Sequence, residues 1–262
     1  MPRLTGKNSK PHMNQAIVTI PAASLNDEFG FCSVLNEMLQ TASTVGRSGK
    51  EFKDLGALST LNNLRVLRSL HLHLRPKRTL EIGLCFGGSC LLFTATHREI
   101  SGQPTHQHTA LDPFQKEAWD DAGVVAVERA GLSGYLDFYP RFSNLALPQF
   151  IEAGRKFELI YIDGSHLFED VFVDAYYCAR LLADDGVILF DDCRDPHVKK
   201  VIKFIRSNLK SSLRELDLSP FRADGGKSLK YRMARFVGQT QLSAFQRAGD
   251  LPRPYNAPFT DF

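Results

Sequence analysis

The sequence contains no run approaching the roughly 18 consecutive apolar residues of a membrane span, so it predicts no transmembrane helix. It also lacks a large excess of either charge. The formal net charge is +3, and lysine and arginine are spread along the chain, too little to argue for nucleic acid or a membrane, and neither is expected as a partner. Cysteine is sparse: Cys32, Cys85, Cys90, Cys178 and Cys193 are odd in number and form no CxxC pair. That pattern disfavours a disulfide framework or a zinc site and predicts reduced, mostly buried thiols in a cytoplasmic protein. The basic start "MPRLTGKNSKPHMNQ" is not followed by the apolar core of a signal peptide. No internal repeat or low-complexity tract stands out.

What remains is the composition of an ordinary globular protein, 43% hydrophobic and 23% charged over 262 residues. A chain of that length buries roughly three quarters of its unfolded surface and needs no disulfide or metal to hold its core. The polar segment 1–24 reads as loose. Apolar residues at helical spacing predict a helix over 26–44 that packs on the domain or covers a site, followed by a polar link, 46–53.

From residue 55 onward helices and strands alternate. Helices are expected over 57–74, from Gly87 to about His97, and over 117–131, 143–153, 168–182 and 197–209. Strands are expected at 78–83, 108–112, 135–140, 157–163 and 186–192. Such alternation predicts an α/β fold with a parallel sheet covered on both faces. After residue 212 the rhythm changes: "LRELDLS" and "KYRMARFVG", joined through "ADGGKS", read as an antiparallel hairpin. "GGKS" (225–228) lacks the rest of a phosphate-loop pattern and fits a turn better.

Ligands of open parallel sheets bind beyond the carboxyl ends of the strands. The unusual polar residues fall there: Gly83 to Ser89, Asp112, Ser143, Asp163 with His166, and Asp191 with Asp192. The turn "EIGLCFGGS" (81–89) joins a strand to a helix through glycines, which lets backbone approach a ligand and presents helix N-terminal amides. Asp112, at the end of the next strand, can accept ribose hydroxyls. Together they suggest a nucleoside-containing cofactor. The dinucleotide fingerprint would want glycine at position 85, where the chain has Cys85, and Glu81 suits a cationic ligand better than a pyrophosphate.

The segments "TLEIGLCFGGS", "ALDPF", "FELIYIDGSH" and "DDGVILFDD" resemble the successive motifs of class I S-adenosylmethionine-dependent methyltransferases. The closer resemblance is to the branch related to catechol O-methyltransferase and to the sugar O-methyltransferases of macrolide and aminocoumarin biosynthesis, over about residues 55–237. It implies a Rossmann-like, doubly wound, seven-stranded sheet, mostly parallel with a C-terminal antiparallel hairpin. In domain terms it implies a methyltransferase domain at 51–240, an N-terminal extension at 1–50 and a tail at 241–262. By the same resemblance Glu81 and Gly83 would hold the methionine part of S-adenosylmethionine. Gly87 and Ser89 would complete that loop, with Cys85 serving through its backbone. Asp112 would hold the ribose, Ser143 would sit by the adenine, and Asp163 would border the cofactor.

Asp163, Asp191 and Asp192 should converge, because adjacent strands lie about 4.8 Å apart. Three carboxylates at one spot repel unless compensated, and an oxygen-only set favours magnesium or calcium over zinc. The plainer alternative is that Asp192 only caps the loop before "RDP". In the metal-dependent relatives the matching positions carry the metal acids, and the position of His166 can hold the general base. A histidine suits that role because it titrates near neutrality. His71 and His73 are expected on a helix surface.

The reading that results is O-methylation of a small polyhydroxylated molecule, a sugar or a catechol, with S-adenosylmethionine and Mg2+ as cofactors and His166 and Asp163 in catalytic roles. Competing readings are a nicotinamide-dependent oxidoreductase, a non-catalytic binding module and a metal-independent methyltransferase. The helix at 26–44 and the tail are candidates for the pocket wall or for a contact between copies in a homo-oligomer.

Overall fold

The computed structural model describes residues 28–104, 107–236, 238, 240–251 and 253–262. The segment 1–24 and the first two residues of the expected 26–44 helix lie outside the described residues. That helix is shorter than expected, α1 being Ser33–Thr41, because Ala42 turns into the left-handed region and ends it. The chain then forms a two-stranded antiparallel ribbon, β1 (Ser43–Val45) with β2 (Glu51–Lys53), where the sequence predicted the end of a helix and a polar link.

The main sheet has seven strands in the order β5-β4-β3-β6-β7-β9-β8. They are β3 (Arg78–Ile82), β4 (Gln107–Leu111), β5 (Leu136–Tyr139), β6 (Phe157–Ile162), β7 (Leu182–Phe190), β8 (Leu213–Leu216) and β9 (Ser243–Arg247). β3 to β7 pair in parallel, and β9 pairs antiparallel with both β7 and β8, so β9 alone runs against the others. This is the expected α/β class, doubly wound and Rossmann-like.

The partner of β8 differs from the sequence expectation. The segment 230–238 was expected to pair with 213–219, yet Leu229–Phe236 is a helix and the pairing strand is Ser243–Arg247, inside the stretch assigned to the tail. Four cations without an acid give 227–236 a helical surface pattern, whereas Ala244 and Phe245 supply the buried residues that a strand between β7 and β8 needs.

The connecting helices are α2 (Leu61–Leu74), α3 (Gly88–Ser101), α4 (Gln115–Trp119), α5 (Ala122–Arg129), α6 (Ser143–Glu152), α7 (Phe168–Leu181), α8 (Pro196–Asn208) and α9 (Leu229–Phe236). The single helix expected over 117–131 is broken at Asp120 and Asp121, both in the left-handed region. α2 starts at Thr60, whose hydroxyl accepts from the Asn63 amide at 3.3 Å. α8 starts at Asp195, whose carboxylate accepts from the His197 amide at 2.9 Å, with Pro196 in its first turn. Both are ordinary N-caps.

Side chains alternate across each strand. Leu159, Tyr161, Val187 and Leu189 face one apolar layer with α2 and α3. Ile160, Ile162, Ile188 and Phe190 face the other with α6, α7 and α8. This parity decides the site, since Asp163 and Asp191 continue the first set. Buried strand residues therefore carry their carboxylates toward the N-terminal end of α2.

Candidate active site

The register of the sheet lines up one residue just past each central strand. Ile82 pairs with Leu111 and with Ile162, and Ile162 pairs with Phe190. The ladder then runs one step further: Gly83 donates to the Leu111 carbonyl, Asp163 to that of Ile82, Asp191 to that of Ile162 and Asp112 to that of Tyr139, at 2.9 to 3.2 Å. Gly83, Asp112, Asp163 and Asp191 thus form a row along the carboxyl edge, where a cleft of about 2340 Å³ opens. Pockets for a single small ligand are roughly 300–1000 Å³, so the cleft has room for a cofactor and an acceptor together.

At the glycine turn, Gly83 has φ +97°, and a Cβ there would stand 2.2 Å from the Asp163 carbonyl oxygen. Only glycine fits. Cys85 adopts φ 46°, a conformation more natural to glycine. Its amide donates to Asp112 Oδ2 at 2.9 Å, and its carbonyl accepts from Gln115 Nε2 at 2.6 Å. Burial pushes the Cys85 thiol up to about 12, with the charges of Asp112 and Asp163 adding to the effect. It is a neutral thiol on the cleft wall.

Asp112 also accepts from Gln115 Nε2 at 2.9 Å and from the Phe114 amide at 2.8 Å. Three of the roughly four acceptor sites of this carboxylate are filled, so in this rotamer it stiffens the turn and keeps one site for a ligand.

Glu81, expected at the cofactor's methionine part, does not line the cleft. It shares the parity of Tyr161 and is fully buried under α3. There it accepts from Ser89 Oγ at 2.8 Å and stands 3.2 Å from His108 Nε2. His71 likewise departs from expectation. It is fully buried, its ring 4.5 Å from that of His97, whereas His73 is exposed. His71 follows Leu67 by four residues and Leu64 by seven, on the face of α2 that packs on α3.

Ser143 stands at the start of α6 and lines the cleft with Asn144. Beside it Phe114 and Phe142 form an edge-to-face pair 5.5 Å apart, each about half exposed. Asp174 on α7 closes this end. Burial raises its carboxyl from 3.8 to about 7, a hydrogen bond from Ser143 opposes that shift, and its Oδ1 is buried without a hydrogen-bond partner.

At the other end lie the carboxylates. Asp191 is 5% exposed and heavily engaged. Asn63 Nδ2 donates to both of its oxygens at 2.9 Å, the Asp192 amide to Oδ1 at 2.7 Å, Gln241 Nε2 to Oδ1 at 3.1 Å, and the Tyr161 hydroxyl to Oδ2. The Tyr161 hydroxyl oxygen also lies 3.1 Å from Asp163 Oδ2, and Ser59 Oγ donates to the same oxygen at 3.3 Å. Burial raises the Asp163 carboxyl well above the ordinary range, and the charges of Asp191 and Asp192 add to it. Burial likewise raises Asp191 and, strongly, the Tyr161 phenol.

Asp192 is in the left-handed region, φ 50°, which swings its side chain away from Asp191 and toward the loop after β6. There His166 Nε2 lies 2.9 Å from Asp192 Oδ2, while His166 Nδ1 lies 4.0 Å from Asp195 Oδ2. Donor atoms of Asp163, His166 and Asp192 come within 4.8 Å of one another. The structure therefore gathers the three acids and His166 at one place, but it commits Asp191 to internal hydrogen bonds. Asn63, Tyr161, Gln241 and Ser59 were not found from the sequence.

Residues 80–193 match the family model of a methyltransferase domain. No curated protein matches the chain. Among solved structures, the fold is similar to that of the O-methyltransferase from Bacillus cereus in complex with SAH. That structure is 19% identical, over 82% of this chain and 89% of that one, with a TM-score of 0.56. It is also similar to the O-methyltransferase TomG from Streptomyces achromogenes, involved in tomaymycin synthesis, in complex with SAM. There the identity is 15%, over 87% of this chain and 88% of that one, with a TM-score of 0.55. A third is cofactor-bound Rv0187 from MTB, 15% identical over 90% and 94%, with a TM-score of 0.56. Residues 80–193 thus match a methyltransferase domain, and the glycine turn, the acid row and the seven-stranded sheet with β9 alone reversed belong to a fold shared with these O-methyltransferase structures.

Proposed function

We propose that the protein transfers the methyl group of S-adenosylmethionine to a hydroxyl oxygen of a small polyhydroxylated acceptor, a sugar moiety or a catechol. The observation that carries this reading is the polarity of the cleft. A glycine turn with Asp112 and the Phe114–Phe142 pair stands at one end, and a carboxylate cluster with His166 at the other. Gly83, Cys85, Gly87 and Ser89 border the place of the amino-acid portion, Asp112 that of the ribose, and Ser143 and Phe142 that of the adenine. Glu81 acts one step behind, by holding Ser89.

The carboxylate end fits a divalent cation. Asp191 is buried and Asp163 half-buried beside it, with hydroxyl and amide partners but with no lysine or arginine ion pair among the described residues. Asp163 and Asp192 would hold the ion, with Asp191 fixed behind them. When bound there, a divalent cation supplies Lewis acidity, which acidifies a coordinated hydroxyl. His166 takes the acceptor's proton, and Asp192 and Asp195 flank its imidazole and orient it. Tyr161, Ser59 and Asn63 hold the acids in one arrangement. In-line displacement between two positioned partners gains mostly from orientation, up to roughly 7–11 kcal/mol in favourable cases, so a rigid site suffices without covalent catalysis.

Calorimetric titration with S-adenosylmethionine and S-adenosylhomocysteine, with magnesium and with chelator, tests the reading. Micromolar binding is expected. No binding under any condition would overturn it and leave a binding module on this fold. Turnover untouched by chelator would leave the transferase but remove the metal.

A further inference from the structure

The connection between β8 and β9 runs through α9, which lies over the mouth of the cleft: Lys230, Tyr231 and Ala234 line it. The opposite side of α9 is apolar and open. Leu229, Met233 and Phe236 are 70%, 62% and 93% exposed. At about 100° per residue they fall within an arc of roughly 60°. Lys230 follows on one flank of that arc and Arg232 on the other, both exposed, while Tyr231 and Ala234 point the other way, into the cleft. The segment 227–236 holds Lys227, Lys230, Arg232 and Arg235 and no acid.

We propose that α9 docks on an anionic lipid surface, with Leu229, Met233 and Phe236 entering the headgroup region and Lys230 and Arg232 pairing with lipid phosphates. An apolar stripe bordered by long cationic side chains on both flanks is the arrangement of an interfacial helix, whose aliphatic stems lie along the apolar layer while the charged heads stay in the polar one. Charge selects this occupant over the nearest alternatives. A second copy meeting the stripe about a twofold axis would set the same cations against each other. The chain's own residues 1–27 carry Arg3, Lys7 and Lys10 against Asp27 alone, so they too are repelled by α9 and attracted to an anionic surface. Docking would place the mouth of the cleft against the lipid. This association is peripheral, since no helix among the described residues is long and apolar enough to cross a membrane.

The experiment is co-sedimentation of the full chain with vesicles of phosphatidylcholine alone and with about one third phosphatidylglycerol, at low and high salt. Binding is expected on the anionic vesicles only, reduced by salt. It should fall about tenfold or more in the variant Leu229→Ser/Met233→Ser/Phe236→Ser, with S-adenosylhomocysteine affinity unchanged as proof of folding. A second variant, Arg232→Glu, should lose anionic-vesicle binding without removing any apolar residue. The proposal is overturned if the protein ignores anionic vesicles, if the triple variant binds them as well as the parent, or if light scattering shows a dimer that the triple variant dissolves.

Discussion

Asp174 offers a test of the site's electrostatics that needs no substrate. Its carboxyl is held at about 7 in the folded protein against an ordinary 3.8, chiefly by burial. The native state therefore binds one more proton than the unfolded chain between about pH 4 and 7. Stability must fall as pH rises through that window, and the loss is complete above it. At roughly 1.4 kcal/mol per tenfold change in proton affinity, the full difference is worth roughly 4 kcal/mol, an upper figure that water penetration and relaxation would trim toward ~2.

Asp174→Asn cannot ionise and keeps an oxygen for the Ser143 hydroxyl. Its amide N–H groups would occupy the place of the unpartnered Oδ1, a pH-independent penalty of roughly 1–3 kcal/mol. The slope is thus the diagnostic, not the absolute value. Urea unfolding of both proteins should show the variant gaining on the parent by roughly 2–4 kcal/mol between pH 4.5 and 8, with most of the gain before pH 7. A difference that stays flat over this range would refute the argument. It would mean that Asp174 is ionised in the native state, or that it is not held in this environment.

Gly83→Ala would press a methyl group into the Asp163 carbonyl at a positive φ; a loss of roughly 2–4 kcal/mol by urea unfolding, together with weakened S-adenosylhomocysteine binding, is expected, and neutral behaviour would show that the strand ends can spread. Tyr161→Phe removes the hydroxyl shared by Asp163, Asp191 and Ser59. It should cost roughly 1–3 kcal/mol and lower kcat more than it changes cofactor affinity, and unaltered turnover would remove Tyr161 from the site's support. Cys85, with its thiol at about 12, should resist iodoacetamide at pH 8 and react only on unfolding, as read by mass spectrometry of its peptide; labelling at the rate of a free thiol in the native protein would contradict the burial.

The parts of this protein that could be read in the sequence were those with a local pattern. The continuous apolar runs of β6 and β7 needed no context, because a strand buried on both faces looks the same wherever it lies. Gly83 and Asp163 could be placed because each strand end comes a fixed distance after its run. The strand β9 escaped because "SAFQR" is too short to carry a period, while the cationic "KYRMARF" offered β-compatible residues that helix formation and exposure overrode.

The support of the acid cluster escaped for a different reason. Asn63 meets Asp191 across 128 residues, and Gln241 meets it across 50. A polar side chain in an amphipathic helix and a glutamine before a short strand leave no trace of such partners in their own neighbourhoods. The strand parity that aims Asp191 at α2 was available, but the length of the loop before α2 was not. The helix was expected from residue 57, whereas it begins after Thr60. Those extra loop residues leave Ser59 beside Asp163 and put Asn63 in the first turn. A start at 57 would have placed Asn63 two turns along the helix, away from the carboxyl edge. Donors that fix a catalytic acid are therefore decided by a helix boundary, the feature that residue patterns specify least well.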